Sequence, residues 1–317
     1  MKKIVILSGD PNSINSELIY KVWKKINKSI KKKIYLISNY DLLSKQFKKL
    51  KLPIKLIKVK NLNENPNINK LKIINVNLSF KDSFKVSNYQ SSKFFLKSLN
   101  LAHKYSINGY IQGFINCPID KKLLNKNTGV TEFLASKCSI KDNSEAMLIT
   151  NKKLSVSPIT THIDVKKISK TITSKRIIAK ITTIESWFKK NLKIKPKIAV
   201  LGLNPHNSEF NKKSEEFKII KPAIVKLKKN NINISGPYAS DSFFVEDYKK
   251  YNVIIGMYHD QVLTPFKTLF GFNAINITLG LDYLRVSPDH GVATKLIGKN
   301  KANSSSLLSC VDFLNKF

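Results

Sequence analysis

A chain of 317 residues can bury a large core, and the length suits two lobes of one α/β protein better than a single small module. It contains no apolar run of about 18 residues, so no membrane-spanning helix is expected. The formal charge of +35 invites a nucleic-acid reading, but only Arg176 and Arg285 among the 56 basic residues are arginine, and the lysines are spread through every segment. A reader of phosphate or bases favours arginine forks on a localised face with stacking aromatics, so no nucleic-acid partner is expected.

The opening "MKKIVILSGDP" has too short an apolar core for a signal peptide, and a cytoplasmic location is expected. Cys117, Cys138 and Cys310 are odd in number and lack C-x-x-C spacing, which indicates neither a disulfide framework nor a thiolate zinc site. Cys117, in "INCPID", reads as a packing residue.

In chain order, "KKIVILSGD" reads as a strand, "INSELIYKVWKKINKSI" as a helix and "KKIYLIS" as a second strand. Residues 61–90 are Asn-rich and weakly patterned, an irregular excursion with one short strand candidate at "KIINVN". "SSKFFLKSLNLAHKYS" follows as a helix in which His103 is an ordinary surface or core-edge residue. Then come the strand "GYIQGFINCP", the weaker strand candidate "LSVSPITT", the helix "TSKRIIAKITTIESWFKKNL", the strand "PKIAVLGLNPH" and the helix "SEEFKIIKPAIVKLKKN". The strands "YNVIIGMYHD" and "NAINITLG" complete the series. Near-continuous Ile and Val without alternation fits strands buried on both faces, and apolar residues at three and four spacing mark the helices. The alternation predicts a doubly wound, mostly parallel α/β sheet, or two of them. Glycine is scarce, and Gly9, Gly129, Gly202, Gly236, Gly256, Gly280 and Gly291 are assigned to turn-like stretches.

Ligands in open α/β sheets gather at the carboxyl ends of strands. His206 follows "KIAVLGLNP", His259 follows "NVIIGMY", and His162 follows "LSVSPITT". They are too far apart for a one-helix motif such as H-E-x-x-H. Three strand ends meeting in space could still make a tris-imidazole metal site; capped turns with satisfied imidazoles are the plainer alternative.

The segments "TTHI", "GLNPHNSE", "KPAI", "GPYASDSFF", "MYHDQVLTPFK" and "NITLGLDYLRVSPDHG", with "SGDP" near the start, together resemble the 4-hydroxythreonine-4-phosphate dehydrogenase family of pyridoxal phosphate biosynthesis. The likeness runs from residue 8 to about residue 306. It implies two α/β/α lobes with a cleft between them, of the isocitrate and isopropylmalate dehydrogenase type. On this reading residues 1–128, completed by 291–317, form the first lobe. Residues 129–290 form the second, which carries most metal and substrate residues. The family further implies a homodimer whose interface completes the active site, and NAD or NADP without a G-x-G-x-x-G site. The implied reaction oxidises 4-phosphohydroxy-L-threonine and then decarboxylates it to 3-amino-2-oxopropyl phosphate.

By the same resemblance His162, His206 and His259 hold one divalent ion (Zn, Mg or Co), and Thr131, Lys267, Asn276 and Arg285 hold the substrate. Neutral imidazoles leave such an ion a strong Lewis acid. Asp260 and Asp241 are candidates for the proton acceptor, or they orient a ligating imidazole, which is the favoured role. Lys267 is a catalytic or anion contact, or one more solvated lysine. Arg285 suggests a planar fork on phosphate or carboxylate, against a structural ion pair with Asp282 or Asp289.

Two departures stand out. The family's "GDPAGIGPE" is "GDPNSINSE" here, and its "GHTE" is "GVTE", so Val130 replaces a substrate-contacting histidine. Lys126 is a neighbour that could supply the missing contact. Two alternatives therefore remain: a related metal- and NAD-dependent dehydrogenase acting on a different hydroxy acid or diol, and a non-catalytic basic binding protein. The intact set of three histidines speaks against the second.

Overall fold

A computed structural model describes residues 3–66, 68–124, 129–140 and 144–317. The chain divides into two compact units, Met1–Val130 with Asp282–Phe317, and Thr131–Leu281. The return to the first unit falls at Asp282 and not at the expected residue 291. This assigns Arg285 to the first unit, because its strand pairs with the strand over Gly113–Asn116.

The first unit runs β1 (Ile4–Leu7), α1 (Asn15–Lys25), α2 (Lys28–Lys33), β2 (Ile34–Ser38), α3 (Tyr40–Lys49), β3 (Leu56–Val59), β4 (Leu71–Asn75), α4 (Asn88–Ile107) and β5 (Gly113–Asn116). The second contains α5 (Val130–Lys137, whose first residue belongs to the first unit), β6 (Ala146–Thr150), β7 (Ser155–Thr160), α6 (Ile168–Thr171), α7 (Ser174–Trp187), β8 (Ile198–Leu201), α8 (Lys221–Lys229), β9 (Ile234–Tyr238), α9 (Ser240–Phe243), β10 (Val253–Tyr258), α10 (His259–Phe270) and β11 (Ile275–Leu279). The chain ends with β12 (Leu284–Pro288) and α11 (Ser305–Lys316), back in the first unit.

In the first unit the strands lie in the order β3-β4-β2-β1-β5-β12, all parallel. Every residue of β1, β2 and β5 is buried, as unbroken Ile, Val and Leu runs require when helices cover both faces. Side chains of "GDPNSINSE" brace the turn after β1. The Asn12 amide pairs with both Val86 N–H and Val86 C=O at 2.8 Å, Ser13 Oγ donates to Asp10 O, and Asn15 Nδ2 donates to Ser8 O and Pro118 O. Polar side chains thus fix the loop where the family has glycines.

In the second unit the order is β11-β6-β7-β10-β8-β9, with β6 antiparallel to both neighbours and the other pairs parallel. Its core gathers Met147, Ile149, Val156, Leu201, Ile254, Val262 and Phe266. Gly256 and Gly236, assigned to turns from sequence, lie inside β10 and β9. At Gly256 a Cβ would stand 2.6 Å from Val262 Cγ1, so glycine is what lets α10 fold back onto its own strand.

"HDQVLTPFKTLF" forms α10, which strand and turn signals alone did not suggest; Pro265 in its middle argues against a helix by removing one ladder bond. Buried Gln261, Val262, Leu263 and Phe266 on one face override that cost. No helix among the described residues is long and apolar enough to cross a membrane.

Candidate active site

Strand register explains why two of the three histidines meet. β7 and β10 pair in parallel with Tyr258 opposite Thr160, so the chain leaves both strands at one level. His162 lies just past β7 and His259 opens α10, and their ring centroids stand 5.9 Å apart. His206 lies beyond β8 in a turn where His206, Asn207, Ser208, Glu209 and Phe210 all have φ between 48° and 57°. Five successive left-handed residues, none a glycine, cost about 1–2 kcal/mol each. Nothing in the sequence pattern announced this turn.

The turn persists because buried groups over-determine it. Glu216, fully buried, accepts the backbone N–H groups of Leu203 and Asn204 at 2.8 Å. Burial pushes its carboxyl up, and these bonds with the Asn204 side chain overcome that and hold it below the usual carboxylate value. Asn207 is buried and donates to Pro237 O. Gln261 then ties the neighbourhood together: its Oε1 accepts Met257 N–H, and its Nε2 donates to Gly202 O and Ser240 Oγ, all at 2.6 Å. One side chain of α10 therefore binds the ends of β10 and β8 and the start of α9.

Each of the three imidazoles has a carboxylate within 3.9 Å of Nδ1, but only one is in hydrogen-bond contact. Asp260 Oδ1 lies 2.6 Å from Nδ1 of His259, Asp241 Oδ2 3.9 Å from that of His206, and Glu132 Oε1 3.9 Å from that of His162. At 2.6 Å Asp260 favours the Nδ1–H tautomer of His259 and leaves its Nε2 free to accept or ligate; the two 3.9 Å separations are too long for a hydrogen bond. Three imidazoles are donors of the kind that a divalent ion takes, and Asp260 is in hydrogen-bond contact with His259 whereas Asp241 is not with His206. Among the described residues, however, no group of three His, Cys, Asp or Glu is close enough to hold a metal within one chain.

The expected substrate residues divide between the units. Thr131, buried at the start of α5, shares a hydrogen bond of 3.0 Å with Thr278 of β11. Asn276 stands two residues earlier on the same face of β11, and its Oδ1 is buried with no hydrogen-bond partner. Lys267 is eight residues after His259 on α10, about 12 Å along the axis, with Nζ over the Phe272 ring at 4.7 Å. Arg285 lies buried in the first unit, where its Nε donates to Asn116 Oδ1. Lys126 falls outside the described residues. Cys117 is fully buried and burial raises its thiol pKa strongly, in keeping with packing. His103 bonds Tyr283 Oη at the edge of the first unit's core. Sequence reasoning passed over Glu132, Glu216 and Gln261. Their only signal was polarity beside motif residues, and their partners are distant in sequence.

Residues 11–314 match the model of the pyridoxal phosphate biosynthetic protein PdxA family. The chain belongs to that family. It is 37% identical over 320 residues to the 4-hydroxythreonine-4-phosphate dehydrogenase of Sulfurihydrogenibium sp., covering 98% of this chain and 97% of the relative. The crystal structure of 4-hydroxythreonine-4-phosphate dehydrogenase from Klebsiella pneumoniae superposes with a TM-score of 0.85 at 26% identity, covering 100% of this chain and 99% of that one. An isocitrate dehydrogenase from Methylococcus capsulatus, at TM-score 0.50 and 11% identity over 100% of this chain and 85% of that one, shares the fold alone. The expected fold class therefore holds.

Proposed function

We propose that the chain is a divalent-metal-dependent dehydrogenase that oxidises 4-phosphohydroxy-L-threonine with NAD and decarboxylates the product to 3-amino-2-oxopropyl phosphate. The observation that carries this reading is the His162–His259 pair at neighbouring strand ends, backed by carboxylates, in the unit that holds Thr131 and Asn276. Full-length likeness to relatives bearing that enzyme name supports the substrate.

In this reading His162, His206 and His259 would hold the ion. When bound, it supplies Lewis acidity toward the substrate hydroxyl as hydride leaves the same carbon for the nicotinamide. Asp260 keeps the Nδ1 proton on His259 and fixes the ring plane. Thr131 donates or accepts through the hydroxyl that Thr278 orients, and Asn276 offers its unpartnered oxygen. Lys267 and Arg285 supply cationic contacts for phosphate and carboxylate.

Within one chain the third imidazole is not grouped with the pair, and Lys267 lies about two helical turns from His259. A homodimer in which the partner completes the site accounts for both. The deciding experiment follows NAD reduction with 4-phosphohydroxy-L-threonine before and after metal stripping. Turnover should vanish on stripping and return with Zn, Mg or Co; absence of turnover with metal bound overturns the substrate assignment.

A further inference from the structure

Glu132 stands near His162 but has no assigned role in the reading above. It follows Thr131 in the first turn of α5. Its Oε1 accepts the Thr161 hydroxyl at 3.0 Å and stands 3.9 Å from Nδ1 of His162, while its Oε2 is buried with no hydrogen-bond partner. A buried carboxylate oxygen without a donor is costly, so a site that keeps one implies compensation from a positive group. Part of it comes from Lys180, a buried ammonium on α7 that donates to Glu145 O, lies 3.8 Å from Glu145 Oε1 and also interacts with Glu132.

We propose that Glu132 is the positioning residue of His162, holding its Nδ1 proton so that Nε2 faces a divalent ion. The inference rests on the reading of His162 as a ligand. An imidazole ligating through Nε2 has a more positive Nδ1–H, a better donor to Glu132 than the free ring. Metal and Glu132 therefore stabilise each other, and the coupling is reciprocal. At His259 the adjacent Asp260 already hydrogen-bonds Nδ1 at 2.6 Å; at His162 the carboxylate comes from a different element and stands 3.9 Å away, a gap that the proposal has close when the ion binds.

The test uses Glu132→Gln and Glu132→Asp in the full chain, with Co²⁺ affinity by calorimetry, melting temperature with and without metal, and ¹⁵N resonances of the His162 ring. Glu132→Gln should weaken Co²⁺ binding about ten- to hundredfold, the usual effect of removing a carboxylate behind a ligating histidine. It should leave the metal-free melting temperature unchanged or higher, since an uncompensated charge is gone, and should shift His162 away from the Nδ1–H tautomer. Glu132→Asp, which keeps the charge one methylene further back, should lose less affinity. Unchanged affinity in both variants overturns the proposal. So does an equal fall in melting temperature with and without metal, which marks a structural role. If the parent itself binds no Co²⁺, the metal reading fails and takes this proposal with it, an outcome distinct from a parent that binds and variants that bind equally.

Discussion

Val130 occupies a buried position at the start of α5, next to Thr131, where the family carries histidine. A valine side chain offers no hydrogen bond, so on the proposed reading one contact to the phosphorylated substrate is lost, worth roughly 1.5–3 kcal/mol. Val130→His should raise kcat/KM for 4-phosphohydroxy-L-threonine by about ten- to hundredfold, mainly through KM. A fall in kcat/KM would instead mark valine as a specificity element for a different hydroxy acid or diol. Lys72 is a second residue whose environment contradicts its type. In a chain where lysine is nearly always solvated, it is fully buried, donates to Lys32 O and Asn65 Oδ1, and lies 4.1 Å from the Tyr35 ring centroid. Burial, helped by the nearby Lys3 charge, lowers its pKa from 10.5 to about 8. Between those values the unfolded chain holds a proton that the folded chain has released, so stability contributed by this site rises with pH across that window. Below it both states are protonated and the contribution is constant. Urea midpoints from pH 7.5 to 10.5 should therefore climb less steeply in Lys72→Met than in the parent.

Gln261 shows how an element gains a role that its propensity does not predict. α10 begins at the ligand candidate His259, and two residues later Gln261 satisfies a β10 N–H, a loop carbonyl after β8 and a hydroxyl of α9. Replacing it with leucine leaves two buried backbone groups and a half-buried hydroxyl without this partner at one point. Gln261→Leu should destabilise the protein by about 3 kcal/mol or more and loosen the turn that carries His206. Urea unfolding measures the first effect, and amide exchange at Gly202 to Phe210 the second. Stability within about 0.5 kcal/mol of the parent would mean that water or a neighbour satisfies those groups. The left-handed turn after β8 belongs to the same scale, because Glu216 and Gln261 brace it from outside its five residues while Asn207, one of the five, anchors it to Pro237 O.

The whole molecule carries +35 formal charge with both signs unevenly matched, 56 basic against 21 acidic residues. Two such copies repel, and salt screens that repulsion over about 10 Å at 0.1 M. The proposed homodimer should dissociate as ionic strength is lowered, with activity falling in parallel. Sedimentation velocity across a salt series checks this, and a fully active monomer would contradict a shared site. Local sequence determined what depends on short-range pattern: unbroken Ile and Val runs for buried parallel strands, three-and-four spacing for α1, α4, α7 and α8, and histidines at strand ends. Long motifs also carried the family. Tertiary structure decided the rest. Which residues of α10 are buried overrode Pro265, strand pairing moved Arg285 into the first unit, and the parallel register of β7 and β10 brought His162 to His259. Glu132, Glu216 and Gln261 acquire their roles only when segments far apart in the chain become neighbours, because hydrogen bonds and charges act over ångströms in space and are blind to separation in sequence.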